Sequence, residues 1–271
     1  MDKSPLELAI AKYDSMLVGF SGGVDSALLA VVARQELGKD RSLAAVGTSP
    51  SLPTKQLEQA RQLAEQFDLN LIEVATSELD DPNYAANSTQ RCYYCKRELW
   101  DKLVHVAKEH GMSVVAEGTN ADDLGEHRPG LAAADEFQIV KPLAEAGYTK
   151  ERVRAEARKL NIPIWDAPAA PCLSSRVQYG IEVTSERLSQ VERGESVLRE
   201  LGVIGDMRVR HRGDEARIEV PTSEFEKIRK ASTTIATEFL KLGFQRVTLD
   251  LTGYRRGSML FDGPPELEQL S

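Results

Sequence analysis

The chain has 271 residues, 41% of them hydrophobic and 28% charged, which suits a folded globular protein and excludes a collagen-like or broadly disordered one. Its length predicts one large domain or two of ordinary size. The net charge of −8 comes from 34 basic and 42 acidic side chains, so no global field draws nucleic acid to the protein. The excess lies before Ala169, where 26 acidic residues face 19 basic ones; after it the counts are 16 and 15. The longest apolar run, Ala27–Ala33, is too short to cross a bilayer. Met1-Asp-Lys-Ser-Pro lacks the charged-then-apolar profile of an export signal, and the cysteines number three. A cytoplasmic, reducing setting is therefore expected, with the cysteines serving chemistry rather than cross-linking.

In chain order, Ser4-Pro5-Leu6-Glu7 reads as a helix start, with Ser as cap, Pro at the first position and Glu reaching back. Met16–Phe20 is a short buried strand that runs into the glycine turn Ser21-Gly22-Gly23. A helix is predicted over Asp25–Leu37, closed by Gly38. The alternation continues with a strand at Leu43–Val46, a helix at Lys55–Phe67 and a strand at Leu71–Ala75. A helix over Cys95–His110 and a strand at Ser113–Ala116 follow. Strands alternating with helices in this way imply a parallel sheet covered on both faces. Ala167-Pro-Ala-Ala-Pro-Cys172 breaks the rhythm and is the expected linker. Beyond it come a helix (Ser185–Leu201), a hairpin of strands (Arg208–Arg212 and Ala216–Val220) turning at Gly213-Asp214, a helix (Ser223–Leu242) and a strand (Arg246–Leu251). The expected division is thus 1–168, an α/β domain, and 169–271, a smaller α+β domain. The tail from Asp262, with Pro264-Pro265, is expected to fray.

The strongest chemical signal is Ser21-Gly22-Gly23-Val24-Asp25-Ser26 between a strand and a helix. Two glycines let backbone approach a phosphate, and the helix start offers unpaired N–H groups and a favourable dipole. The absence of a following Gly-Lys-Ser/Thr rules out a Walker loop. The motif resembles the PP-loop of the ATP pyrophosphatase superfamily, whose members cleave ATP between the α and β phosphates. A glycine turn that merely redirects the chain is the bland alternative. Asp122 and Asp123, in the turn after a later strand, are candidates for Mg²⁺ or simply an exposed acidic turn.

Cys92-Tyr-Tyr-Cys95 is followed much later by Cys172. Zinc would need a fourth ligand from among His105, His110, His127 and His211, none at a zinc-finger spacing. A redox CxxC leaves Cys172 unexplained. Three thiolates suit a [4Fe–4S] cluster with one iron open to an exogenous ligand such as hydrosulfide, and three incidental cysteines complete the alternatives.

Cys172-Leu-Ser-Ser-Arg176, the segment 122–130 with Arg128-Pro129-Gly130, Arg208-Val-Arg210 and the PP-loop together resemble the LarE family over nearly the whole chain. The resemblance implies an ATP-dependent sulfur transferase that adenylates the carboxylates of pyridinium-3,5-biscarboxylic acid mononucleotide and inserts sulfur. The product belongs to the nickel-pincer cofactor of lactate racemase. It implies ATP and Mg²⁺ as cofactors, with Ser21–Ser26 holding pyrophosphate and Asp25 and Ser26 as catalytic loop residues. Cys172 gives up its own sulfur in the single-cysteine branch of that family. The presence of Cys92 and Cys95 makes this chain resemble the three-cysteine branch instead, with Cys92, Cys95 and Cys172 on a cluster.

A strand period of two places Arg208, Arg210 and Arg212 on one face, opposite Arg217 and Glu219. Guanidinium forks match phosphate oxygens, although a solvated face of paired charges has the same pattern. The resemblance assigns Arg208 and Arg210 to a nucleotide pocket, with Arg176 and Glu195 beside them. The expected partners are a small nucleotide substrate, a sulfide or other sulfur donor, and further copies of the chain, without nucleic acid or membrane. Two other activities are alternatives: a PP-loop tRNA thiolase, which also pairs the loop with a CxxC and a third cysteine, and an ammonia-dependent amidating synthetase, which would not need the cysteines.

Overall fold

The protein is represented by a computed structural model that describes residues 3–125, 129–168 and 170–255. Arg128, His127 and the proline-bearing tail lie outside the described residues. The chain divides into two compact units, one formed by residues 1–81 and 90–170 and the other by 82–89 and 171–271.

The first unit opens with α1 (Pro5–Ala11), where Ser4 and Glu7 form the expected capping box. Then come β1 (Met16–Gly19), α2 (Val24–Leu37), β2 (Ser42–Thr48), α3 (Thr54–Gln66) and β3 (Leu71–Ala75). The chain next enters α4 (Pro82–Ala85), which belongs to the second unit. It returns with α5 (Arg91–Glu109), β4 (Val114–Ala116), α6 (Pro129–Glu136), α7 (Pro142–Glu145) and α8 (Lys150–Lys159). Among the described residues the strands form a parallel sheet in the order β3-β2-β1-β4. Alternate residues of β1 enter different cores. Met16 and Val18 pack with Leu6, Ile10, Val32 and Val153 from α1, α2 and α8. Leu17 packs on the opposite face with Trp100, Leu103 and Ala133 from α5 and α6. That two-sided burial explains why β1 reads as a continuous apolar run, as parallel strands do. α5 starts at Arg91, four residues earlier than expected, after Gln90, which supplies no side-chain cap to signal it. Cys92 and Cys95 consequently both lie within its first five residues, three positions apart.

The second unit contains α9 (Ser185–Glu200), β5 (Arg208–Arg212), β6 (Glu215–Glu219), α10 (Phe225–Lys230), α11 (Ser232–Lys241) and β7 (Arg246–Leu249). β5 and β6 form an antiparallel hairpin, and β7 joins β6 in parallel. Val209, Ile218 and Val220 bury against Leu198, Ile235 and Phe239. The helix expected over Ser223–Leu242 is two helices meeting at Ala231. The final strand stops at Leu249, since the Asp250 carboxylate turns the chain by accepting from the Thr252 N–H at 2.8 Å and its hydroxyl at 2.6 Å.

Residues 82–89 join this unit rather than the one that surrounds them in sequence. The Asn87 amide, fully buried, donates to the carbonyls of Val177 (3.2 Å), Gln178 (2.8 Å) and Ile181 (2.8 Å). The Val183 N–H returns a bond to Ala85 O at 2.8 Å. Tyr84 and Ser174 share a buried hydroxyl contact of 2.6 Å.

Candidate functional site

In the first unit β1 delivers the chain into the glycine turn and α2 carries it away. Gly22 has φ +73°, and a Cβ there would stand 3.2 Å from a carbonyl oxygen of α3, so only glycine meets both the conformation and the packing. Ser21 and Ser26 hydroxyls lie 3.1 Å apart, and the buried Ser26 hydroxyl donates to Gly23 O at 3.0 Å. Gly23 begins α2 without a capping side chain. The turn therefore presents backbone N–H groups and the positive end of a long helix to one place, the requirement for an anion.

Two elements that follow β4 complete the surroundings. Gly118 passes so close that a Cβ would lie 2.7 Å from the Ser26 nitrogen. The Asp25 carboxylate accepts from Asn120 Nδ2 at 3.1 Å and is ion-paired with Lys150 at the start of α8. Asp122 and Asp123 are occupied locally: Asp122 accepts from the Lys150 N–H at 2.8 Å, and Asp123 from the Asn120 N–H at 3.2 Å. Lys150 and Asn120 are site residues that local spacing does not reveal. They stand 125 and 95 positions from Asp25.

The second unit places Cys172 immediately before a short turn, Leu173–Arg176. Arg176 is buried and folds back over that turn, donating to the carbonyls of Pro171 (2.5 Å) and Cys172 (2.9 Å) and, through Nε, to Glu195 at 3.0 Å. Ser175 Oγ adds a bond to Cys172 O at 2.7 Å. Glu195 is 2% exposed and also accepts from Arg199 at 3.2 Å, so its influence on the site passes through Arg176. Arg210 is tied to Glu219, fully buried, at 2.9 Å and to Ser175 O at 3.0 Å.

Arg208 differs from both. It is only 8% exposed, yet among the described residues it has no carboxylate partner. Its guanidinium donates to Met207 O at 2.6 Å, reaches the Tyr254 hydroxyl at 3.5 Å and lies over the Tyr254 ring at 5.1 Å. Burial, followed by the nearby Arg176 charge, lowers its pKa below the ordinary arginine value. A desolvated cation without a counter-ion is a receptor for an anion. Of the arginines expected on this strand face, Arg210 thus has a buried carboxylate partner, and among the described residues Arg208 has none.

Cys92, exposed, and Cys95 belong to the first unit, and Cys172 to the second; all three are thiols rather than disulfides. Among the described residues no group of three or more His, Cys, Asp or Glu is placed to hold a metal ion. The expected cluster ligands are therefore not assembled within either unit, since two of them share one helical turn and the third lies on the other unit.

Residues 6–98 match the family described as NAD synthase. Together with the strand–turn–helix loop, that match defines the chain as a PP-loop, ATP-using enzyme of the synthase and transferase class. It is 34% identical over 257 residues to pyridinium-3,5-bisthiocarboxylic acid mononucleotide synthase of Lactiplantibacillus plantarum, covering 95% of this chain and 93% of that protein. It belongs to that protein's family, LarE. An uncharacterized protein of Synechocystis sp. is 42% identical over 250 residues, 92% of each chain. A glutamine-hydrolysing GMP synthase of Clostridium botulinum is 28% identical over 205 residues, which span 68% of this chain and 39% of the larger enzyme. Among the described residues no helix is long and apolar enough to cross a membrane.

Proposed function

We propose that this chain makes pyridinium-3,5-bisthiocarboxylic acid mononucleotide, using ATP to activate the carboxylates of the biscarboxylic mononucleotide and then inserting sulfur. A carboxylate resists substitution because oxide is a poor leaving group. Transfer of AMP to it creates an acyl adenylate from which AMP departs. The glycine loop, with Ser21, Asp25 and Ser26, takes the pyrophosphate, and Mg²⁺ accompanying ATP offsets its charge. Residues 169–271 form the substrate and sulfur-transfer domain in this reading. The observation that carries it is Arg208: a buried cation without a carboxylate partner, on the same unit as Cys172, is what a nucleotide monophosphate needs.

Cys172, on the turn braced by Arg176, is the thiol that both sulfur routes need, either as a cluster ligand or as the sulfur donor itself. Cys92, Cys95 and Cys172 are proposed as the ligands of a [4Fe–4S] cluster, which when bound supplies sulfide. Donor number and type support that assignment. Release of AMP and pyrophosphate that depends on the biscarboxylic mononucleotide tests the activation step; release without it, or none at all, overturns it. Intact-protein mass before and after turnover with added sulfide tests the sulfur route. An unchanged mass, with iron and sulfide found in anaerobic protein, supports the cluster. Loss of the mass of H₂S confined to Cys172 rejects the cluster in favour of a sacrificial cysteine. An ammonia-dependent amidation would survive replacement of all three cysteines by serine.

A further inference from the structure

Two glutamines of α3 hold the phosphate loop from beneath. Gln56 Nε2 donates to Ser21 O at 2.7 Å, and Gln59 Nε2 donates to Gly22 O at 2.7 Å. The two side chains are three positions apart and so share one helix face. Ala60, on the next position, supplies the surface against which Gly22 packs, with its Cβ 3.3 Å from where a Gly22 Cβ would stand.

A trans peptide is planar, with its C=O and N–H pointing in opposite directions. The Ser21 carbonyl shares its peptide with the Gly22 N–H, and the Gly22 carbonyl shares its peptide with the Gly23 N–H. Tying both carbonyls to α3 therefore turns both N–H groups away from α3, toward the open side of the turn. Successive N–H groups aimed to one side make an anion-binding concavity. The Gly23 N–H has a contact of 3.4 Å to the Ser21 hydroxyl, long enough to yield to a better acceptor. Gln56 also forgoes half its hydrogen-bonding capacity, because its buried Oε1 has no partner among the described residues. The reversed amide would set that oxygen against the Ser21 carbonyl, so the donor orientation is the only one that avoids repulsion.

We infer that Gln56 and Gln59 are positioning residues for ATP cleavage: they fix the peptide planes of the glycine turn so that the Gly22 and Gly23 N–H groups face the departing pyrophosphate. The inference rests on the reading of this loop as the pyrophosphate site. Neither side chain touches phosphate in this scheme. Their influence is on how much of the loop's binding is in place before the ligand arrives, which spares the ligand the ordering of the turn.

The test is calorimetric titration of the full-length protein with magnesium pyrophosphate. Gln56→Leu and Gln59→Leu should each weaken binding about fivefold to tenfold, the worth of one lost hydrogen bond. Gln59→Glu separates donor loss from a general loosening. Its carboxylate cannot donate at neutral pH, whereas the protonated carboxyl at acid pH can. Its affinity relative to wild type at the same pH should thus recover as pH falls through about 4.3, while Gln59→Leu stays weak throughout. Wild-type affinity in both leucine variants, or no difference between the pH profiles of Gln59→Glu and Gln59→Leu, overturns the inference. Ser26→Ala tests the underlying reading separately. If it binds pyrophosphate as well as wild type does, the loop is not the pyrophosphate site; if it loses binding while the leucine variants keep theirs, only the role of the glutamines fails.

Discussion

Around the glycine loop of the first unit, the uncapped polar groups are backbone N–H groups at the start of α2, and the nearby Asp25 carboxylate is balanced by Lys150. The second unit instead buries three guanidinium groups, and two of them are matched to buried carboxylates, Arg176 to Glu195 and Arg210 to Glu219. Backbone dipoles carry no net charge and need no counter-ion, so the first unit can wait for its ligand without strain. Buried guanidinium groups must be compensated or they destabilise the fold. The second unit accepts that penalty at one position, Arg208. One region is set apart by its conformation, the other by an imbalance of charge.

The sharpest way to break this contrast is to remove a compensating carboxylate. Glu219→Gln should destabilise the second unit by about 3–5 kcal/mol, the usual result of leaving one member of a buried pair, read as a fall in its thermal or urea midpoint. Midpoints matching wild type would show that Arg210 does not depend on Glu219. In the loop, Ser26→Ala should lower AMP and pyrophosphate formation by about 10²–10³-fold, as for a lost donor to developing negative charge, with the folded spectrum unchanged. Arg208→Met should do the reverse of Glu219→Gln. It should weaken the biscarboxylic mononucleotide by about 1.5–3 kcal/mol while leaving the denaturation midpoint level or higher. A drop in stability with intact substrate binding would make Arg208 a structural residue.

The smallest effect concerns His211, on β5 beside Arg210. It is buried against Phe244, and burial followed by the Arg187 charge lowers its pKa to about 4. An unfolded histidine takes up a proton near pH 6.5, so between these values the unfolded chain binds more protons than the folded one. Stability should therefore fall as pH drops from about 6.5 to 4, by about 2 kcal/mol. His211→Gln should flatten that slope in urea denaturation followed across this range, and an unchanged slope would point to other groups.

Much of the frame was legible because it is local. The Ser4–Glu7 capping box, the β3 segment Leu71–Ala75 and the strand–turn–helix around Gly22 each depend on neighbours in sequence, and each is found in place. α5 began early for want of a capping signal: Gln90 offers none, and Arg91-Cys-Tyr-Tyr does not look like a helix start. The strand period placed Arg208 and Arg210 on one face correctly, but periodicity says nothing of counter-ions, and the difference between the two arginines lies wholly in Glu219. Lys150 on Asp25, Gln59 on the Gly22 carbonyl and Asn87 on the Val177 carbonyl are long-range polar contacts, each made by a single side chain. No pattern of residue types marks them in advance.

The excursion of residues 82–89 makes the two units topologically interlaced rather than serial: the polypeptide passes from one to the other after Asp81, returns after Thr89 and leaves again after Ala170. No single cut yields two whole pieces. A fragment beginning at Pro171 would lack Asn87 and leave the carbonyls of Val177, Gln178 and Ile181 without its amide. During synthesis the short excursion emerges some 90 residues before the segment it serves, and stays unmatched until residues 174–183 have followed. Swapping the second unit between relatives would likewise need two grafts, the distal segment and this eight-residue piece, to keep its interior hydrogen bonds.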